Sequence, residues 1–270
     1  MITDAYRLAD RTDGGWTVVG ASVTGADHRR QSLPNQDAYA YRDYGSGVVA
    51  VVADGHGAAQ HPRSALGARL AADLLADRLG TLDSAESEQD ALPAAADSFV
   101  RAWRAAVASD LASHPLDRLE LAEMGRDSDS LDFVRSAYGT TVLGIRASAK
   151  WVSAIAIGDG ELGCVDAAAR HHPLCAAQAR IGVETDSLAA PELSLRLQTV
   201  PAAGVVAVWA CTDGFSEAQR DPEWRALVAG QLHALPGASG VLPQDLRGWL
   251  APSAETGGDD TTMVLVLRRR

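Results

Sequence analysis

The sequence predicts an α+β fold with mostly antiparallel sheets. Short apolar runs suited to strands come in groups and do not alternate regularly with helices. The two strongest helical stripes, at 62–79 and 94–111, follow one another directly. Several apolar runs stop abruptly at an Asp beside a Gly, where a strand leaves a buried sheet for a turn. With no internal repeat and no clean linker, 16–270 reads as one domain behind a loose polar leader, 1–15.

In order, 16–23 is a strand with Val19, Ala21 and Val23 on one face. The stretch 26–37 is polar and holds a Pro, so it reads as a loop. A continuous apolar run at 48–53 suits a buried strand. The first helix carries Leu66, Leu70 and Leu74 at a spacing of four, continued by Leu75 and Leu79, and Pro62 suits its first turn. The second places Phe99, Trp103 and Val107 on one face. The acidic, weakly patterned stretch 117–132 reads as a long loop or irregular insertion. Strands return at 140–145, 151–157 and 162–165. Leu193, Leu195, Leu197 and Thr199 alternate as a half-buried strand, and 205–210 is another buried run. Helical patterns at 222–235 and 243–250 precede a last strand, 263–267.

The chain has 270 residues, with 24 Lys and Arg against 35 Asp and Glu, a net charge of −11. A pI near 5.0 argues against a nucleic-acid partner, which needs a basic surface, and against a polybasic membrane anchor. Lys150 is the only lysine and the chain is Ala-rich, a codon bias expected of a GC-rich bacterial genome. The cysteines Cys164, Cys175 and Cys211 are odd in number and lack a CxxC, which disfavours disulfides and a zinc ribbon. The polar 1–15 is not a signal peptide, and the longest apolar run, 202–211, is too short to span a bilayer. A reduced, cytoplasmic protein is the expectation.

The most informative pattern is where acids sit. Asp54, Asp159 and Asp213 follow strand-like runs, each beside glycine, and Asp259, beside Gly258, precedes one together with Asp260. Independent Asx turns would account for each alone. Brought together, such carboxylates repel unless something cancels their charge, and a cluster of hard oxygen ligands suits Mg2+ or Mn2+. Glycine lets a backbone carbonyl approach such an ion.

The motifs Asn35-Gln36-Asp37, Asp54-Gly55-His56-Gly57, Gly139-Thr140-Thr141, Gly158-Asp159-Gly160, Thr212-Asp213-Gly214-Phe215-Ser216-Glu217 and Gly258-Asp259-Asp260-Thr261-Thr262 occur in that order. Taken together, from Trp16 to the C-terminus, the chain resembles the protein phosphatase 2C family of metal-dependent serine/threonine phosphatases, as a bacterial-type single-domain member. The resemblance implies two packed antiparallel sheets flanked by helix pairs. It implies hydrolysis of phosphoserine or phosphothreonine by direct attack of a water shared by two divalent ions, Mg2+ or Mn2+, with no phosphoenzyme. By motif, Asp54 bridges the ions, Asp213 and Asp259 complete the first site, and the Gly55 carbonyl serves the second. Asp159 matches the acid of a weaker third site, with Asp213 shared and Glu217 nearby. His56 matches the general acid that protonates the leaving oxygen, a role that suits an imidazole near neutral pH. The implied partner is a phosphorylated protein, the target of a serine/threonine kinase.

The chain departs from the family pattern twice. Gln36 stands where the family usually has Glu, a ligand of the second ion; its carbonyl oxygen can still bind but carries no charge. Two divalent ions then face only three carboxylates, Asp54, Asp213 and Asp259. Either Asp37, counted with His56 among the catalytic candidates, moves inward, or the second ion binds weakly. Ser32 stands where the family places its phosphate-binding arginine, which leaves Arg30 as the candidate. The stretch 180–188 matches a mobile flap.

Other signals are set aside. Gly158 to Gly163 fits GxGxxG, but a strand follows where a dinucleotide site needs a helix. Cys164 to Arg170 fits a cysteine-phosphatase loop but has no glycine between its ends, so Cys164 reads as a strand residue and Cys211 as core. His171 and His172 read as surface loop, and the six tryptophans as packing. Two alternatives stay open: a catalytically weak phosphoprotein-binding module, fed by Gln36, and a phosphatase for a small phosphoester.

Overall fold

The computed structural model describes residues 15–82, 88–125, 130–176, 186–235 and 243–269. Residues 1–14 of the leader and 180–185 of the expected flap lie outside them. The strands are β1 (Trp16–Val23), β2 (Ala38–Asp43), β3 (Gly47–Ala53), β4 (Val142–Ser148), β5 (Trp151–Ile157), β6 (Glu161–Asp166), β7 (His171–Pro173), β8 (Arg196–Pro201), β9 (Val205–Cys211) and β10 (Thr261–Arg268). They form two antiparallel five-stranded sheets, β1-β10-β9-β6-β7 and β2-β3-β4-β5-β8. The α+β expectation holds.

Side-chain parity shows why the sheets stack. In β3 every residue is buried. Val48, Ala50 and Val52 join a core between the sheets, while Val49, Val51 and Ala53 face the helices α2 (Ser64–Gly80) and α3 (Glu88–Ser113). In β9 and β10 the even residues Val208, Ala210, Val264 and Val266 share the inter-sheet core. The odd ones, Ala207, Trp209, Cys211, Met263 and Leu265, pack against α7 (Trp224–Ala234) and α8 (Pro243–Thr256). Three apolar layers therefore alternate with two sheets, which is the helix–sheet–sheet–helix sandwich. A buried pair, Arg146 to Glu88, ties β4 to α3, with the guanidinium also donating to Leu82 O at 2.8 Å and Ser153 Oγ donating to Glu88 Oε2 at 3.0 Å.

Three sequence readings are corrected, and one strand that the sequence did not suggest is added. Within the loop expected at 26–37 stands α1 (Ala26–Gln31), with Asp27 in its first turn, basic residues in its last and Ser32 in a left-handed C-cap. The following segment forms β2, whose Tyr39 and Tyr41 pack into the inter-sheet core. The insertion 117–132 holds α4 (Arg118–Glu123) and α5 (Leu131–Ser136). Asp117 and Glu120 form a reciprocal capping box on α4, and Glu120 also accepts from Arg63 Nε at 2.7 Å. His171 and His172 lie on β7, paired with β6, and not in a loop.

All three cysteines are free and buried. Cys164 sits on β6 with its thiol pushed up to about 11 by burial, and Arg170 is held by Asp166 Oδ2 at 2.8 Å. The segment from Cys164 to Arg170 is a strand and tight turn with no thiolate to offer.

Candidate metal centre

One end of the sandwich collects the ends of β1, β3, β5 and β9 and the beginnings of β2, β4, β6 and β10. The even parity of the inter-sheet core runs out there into polar residues. Ser22 and Thr262 meet through Thr262 Oγ1 donating to Ser22 Oγ at 2.7 Å. Asn35 Nδ2 donates to the same oxygen at 2.8 Å, and Asn35 Oδ1 accepts from Asp37 N at 2.9 Å. Asp37 directly precedes β2 and Thr212 directly follows β9, one beside each sheet, and Thr212 Oγ1 donates to Asp37 Oδ2 at 2.9 Å. Asp37 is thus turned inward.

Asp54 extends the same parity beyond β3. Its backbone is clamped: its carbonyl accepts from Thr141 N at 2.8 Å and from Thr140 Oγ1 at 2.7 Å. Its carboxyl is pushed well above the usual carboxylate range, first by burial, then by Asp37, Asp213 and Asp259. Asp37 is raised as well, by burial and by Asp260 and Asp259, against the hydroxyls of Thr262 and Thr212. Asp213 opens the short helix α6 (Asp213–Ser216), and its Oδ1 is buried with no hydrogen-bond partner. Asp259 is raised by burial and by Asp213 and Asp260, an effect that His28 opposes.

The second departure from ordinary satisfaction is Gln36 Oε1, also buried without a partner. Main-chain atoms crowd here: a β-carbon on Gly55 would lie 2.6 Å from Gln36 O, so only glycine fits. Further out, Asp159 is exposed, and with Asp213 and Asp259 it raises the Glu217 carboxyl, behind burial. Among the described residues no three His, Cys, Asp or Glu side chains form a closed metal cage. The acids instead crowd one another, and Asp213 Oδ1 has no hydrogen-bond partner.

Two expectations meet a different environment. His56 lies beside His61, ring centroids 5.0 Å apart, and burial followed by His61 lowers it to about 4, which Asp159 only partly opposes. The ring is neutral at neutral pH and is not the ready acid the sequence suggests. Arg30 is exposed on α1 and ion-paired to Asp27, one turn before it. The structure therefore does not turn it toward the acids.

Sequence reasoning missed two residues. Asp260 is buried and its carboxylate gathers the end together: Oδ1 accepts from Gly25 N at 2.8 Å, and Oδ2 from Gln36 N at 2.6 Å and from His28 Nδ1 at 2.8 Å. His28 is itself buried, with Nε2 3.8 Å from Asp259 Oδ1. The Gly-Asp-Asp-Thr-Thr motif carried the signal for Asp260. His28 carried none while its segment read as loop.

The protein phosphatase 2C family model matches residues 24–251. No curated protein sequence matches the chain. Among solved structures, serine/threonine phosphatase Stp1 from Staphylococcus aureus superposes with a TM-score of 0.63 at 13% identity, covering 100% of both chains. The Mycobacterium tuberculosis serine/threonine phosphatase PstP gives 0.57 at 18% identity, covering 94% of this chain and 99% of that one. The catalytic domain of PstP in complex with two manganese ions gives 0.59 at 19% identity, with the same coverage of 94% and 99%.

Proposed function

The chain belongs to the protein phosphatase 2C family, and from that premise we propose that it is a metal-dependent hydrolase of phosphoserine and phosphothreonine in proteins. The observation that carries the reading is the placement of Asp54, which shares one end of the sandwich with Asp37, Asp213 and Asp259, drawn from both sheets. Buried like charges left with unused oxygens fit a divalent cation. Asp54, Asp213 and Asp259, with the carbonyls of Gly55 and Gln36 Oε1, are the groups that would hold it, and Asp159 borders a weaker position.

When bound, the ions supply the water nucleophile for direct attack on phosphorus and neutralise charge on the phosphoryl oxygens. Thr140 and Thr141 fix the Asp54 backbone, so its carboxylate is aimed before substrate arrives. Asp37, gripped by Thr212, adds the fourth negative charge that Gln36 does not. His56 stands on the Asp159 side, where the dianionic phosphoester would favour its protonated form and let it donate to the leaving oxygen. Mn2+ or Mg2+ is the expected ion, and a phosphoprotein made by a serine/threonine kinase the expected substrate.

Hydrolysis of a phosphothreonine peptide and of an aryl phosphate, followed against Mn2+ concentration with a chelator control, tests the proposal. Saturable, chelator-sensitive turnover on the peptide, lost in Asp54→Asn, is the expected result. The neutral Gln36 favours a second reading, a phosphoprotein-binding module; tight peptide binding without turnover would select it. Turnover of the aryl phosphate alone would select a small phosphoester.

A further inference from the structure

His28 stands apart from the carboxylates in chemistry but not in place. Asp260 fixes its orientation: a carboxylate accepts, so at 2.8 Å Nδ1 is the donor, and in a neutral imidazole the lone pair is then on Nε2. Nε2 faces the site. It lies 3.8 Å from Asp259 Oδ1, beyond a hydrogen bond. Two donors each about 2.1 Å from one octahedral ion stand about 3.0 Å apart when adjacent and about 4.2 Å when opposite, so a shift of about 0.4 Å would bring the pair to opposite positions on one cation. A β-carbon on Gly57 would lie 3.7 Å from both His28 Nε2 and Gln36 Oε1, so these two atoms border the same small space. Gln36 Oε1 has no other partner there.

A carboxylate holding one nitrogen of a histidine whose other nitrogen borders a space shared with an orphan oxygen and a second carboxylate is an arrangement that suits a metal-ligating histidine. We propose that His28 Nε2 and Gln36 Oε1 form a neutral nitrogen–oxygen face of the cation site, opposite Asp259. This rests on the reading above that this end of the sandwich holds divalent ions. The face would give the site an imidazole donor beside a position that carries no acid, while Asp37 supplies the charge. An imidazole suits transition ions and adds little for Mg2+, so the site selects Mn2+ and similar ions over Mg2+.

The test is pulsed EPR on the full chain loaded with Mn2+ at about one per ten protein molecules in excess Mg2+, which keeps each Mn2+ magnetically isolated. The expected spectrum shows a directly bound 14N nucleus that vanishes in His28→Gln and survives in His56→Gln. Calorimetry should show His28→Gln weakening Mn2+ by about 10- to 100-fold, with Mg2+ changed by less than about 3-fold. Gln36→Glu, which leaves His28 in place, keeps the nitrogen signal and narrows the preference, so the proposal stays testable if His28→Gln does not fold. Bound Mn2+ that supports phosphate release but shows no nitrogen coupling would overturn the histidine ligand and leave the phosphatase reading standing. No bound Mn2+ at all would overturn both.

Discussion

The two ends of the sandwich are built from the same strands and finished in opposite ways. At the far end the chain's own groups tie the two sheets together. Trp16 Nε1 crosses from one sheet to the other to donate to Ser148 O at 2.8 Å. Arg268 stacks on the Trp16 ring at 4.9 Å and donates to Ala202 O at 2.6 Å. At the near end carboxylates from both sheets crowd together, and Asp213 Oδ1 and Gln36 Oε1 go unmatched. A buried polar atom without a partner costs about 1–3 kcal/mol, so the near end is stable only in proportion to what the far end and the core supply. The difference separates an end tied by its own groups from the end whose unmatched oxygens we assign to a cation.

Substitutions at each end sharpen the contrast. The largest effect belongs to the near end. Asp54→Asn should lower kcat/KM on a phosphothreonine peptide by on the order of 10^3-fold, about 4 kcal/mol of barrier, in a chain whose circular dichroism is unchanged. Next comes the far end, where Trp16→Ala should cost about 3–5 kcal/mol of unfolding free energy in a urea titration and leave the Mn2+ affinity of the remaining folded protein as it was. A shift of Mn2+ affinity in that variant would break the separation.

Completing the near end comes third. Mn2+ at about 100 times its Kd should raise stability by about 2.7 kcal/mol, reversed by a chelator. Fourth, metal-free Asp54→Asn should be more stable than the metal-free parent by about 1–2 kcal/mol, because it removes one of the repelling charges. The pH dependence has a definite sign. Asp54 is raised in the folded state, so the fold holds its proton more tightly than the unfolded chain does. The metal-free parent therefore loses stability as pH rises from about 3.9, the unfolded value, through the folded value, and the gap to Asp54→Asn widens over that window and closes below it. Thermal melts at several pH values read this directly. The smallest effect is Arg30→Ala, expected to change kcat/KM by less than about 3-fold, since an exposed arginine paired to Asp27 on its own helix contributes about 0–1 kcal/mol. A loss of 100-fold would show that Arg30 leaves Asp27 to meet the phosphate.

How much of this was legible in the sequence depended on whether a residue's job is local. The strand 151–157 is observed within the bounds its apolar run gives, because burial on both faces writes a continuous run. Asp54, Asp213 and Asp259 were legible because each ends or begins such a run beside glycine. The capping box Asp117-x-x-Glu120 was equally local and readable, and only the acidic composition around it hid α4. β2 was hidden because Tyr39 and Tyr41 supply its inward face to a core that forms only when the sheets stack. His28 and Asp260 are 232 positions apart, and no pattern along the chain joins them. The neutrality of His56 depends on His61 and on burial, neither of which its motif contains.

The buried thiols carry a consequence for behaviour under stress. Peroxide attacks thiolates, and burial pushes Cys164 and Cys175 each up to about 11 and holds Cys211, in the core, well above its usual value. If carboxylates run the phosphate chemistry as proposed, with all three cysteine thiols buried, it should continue through an oxidative burst that silences a thiol-based phosphatase. In a cell that uses both kinds, oxidant would leave phosphoserine and phosphothreonine still turning over while signals erased by thiolates persist.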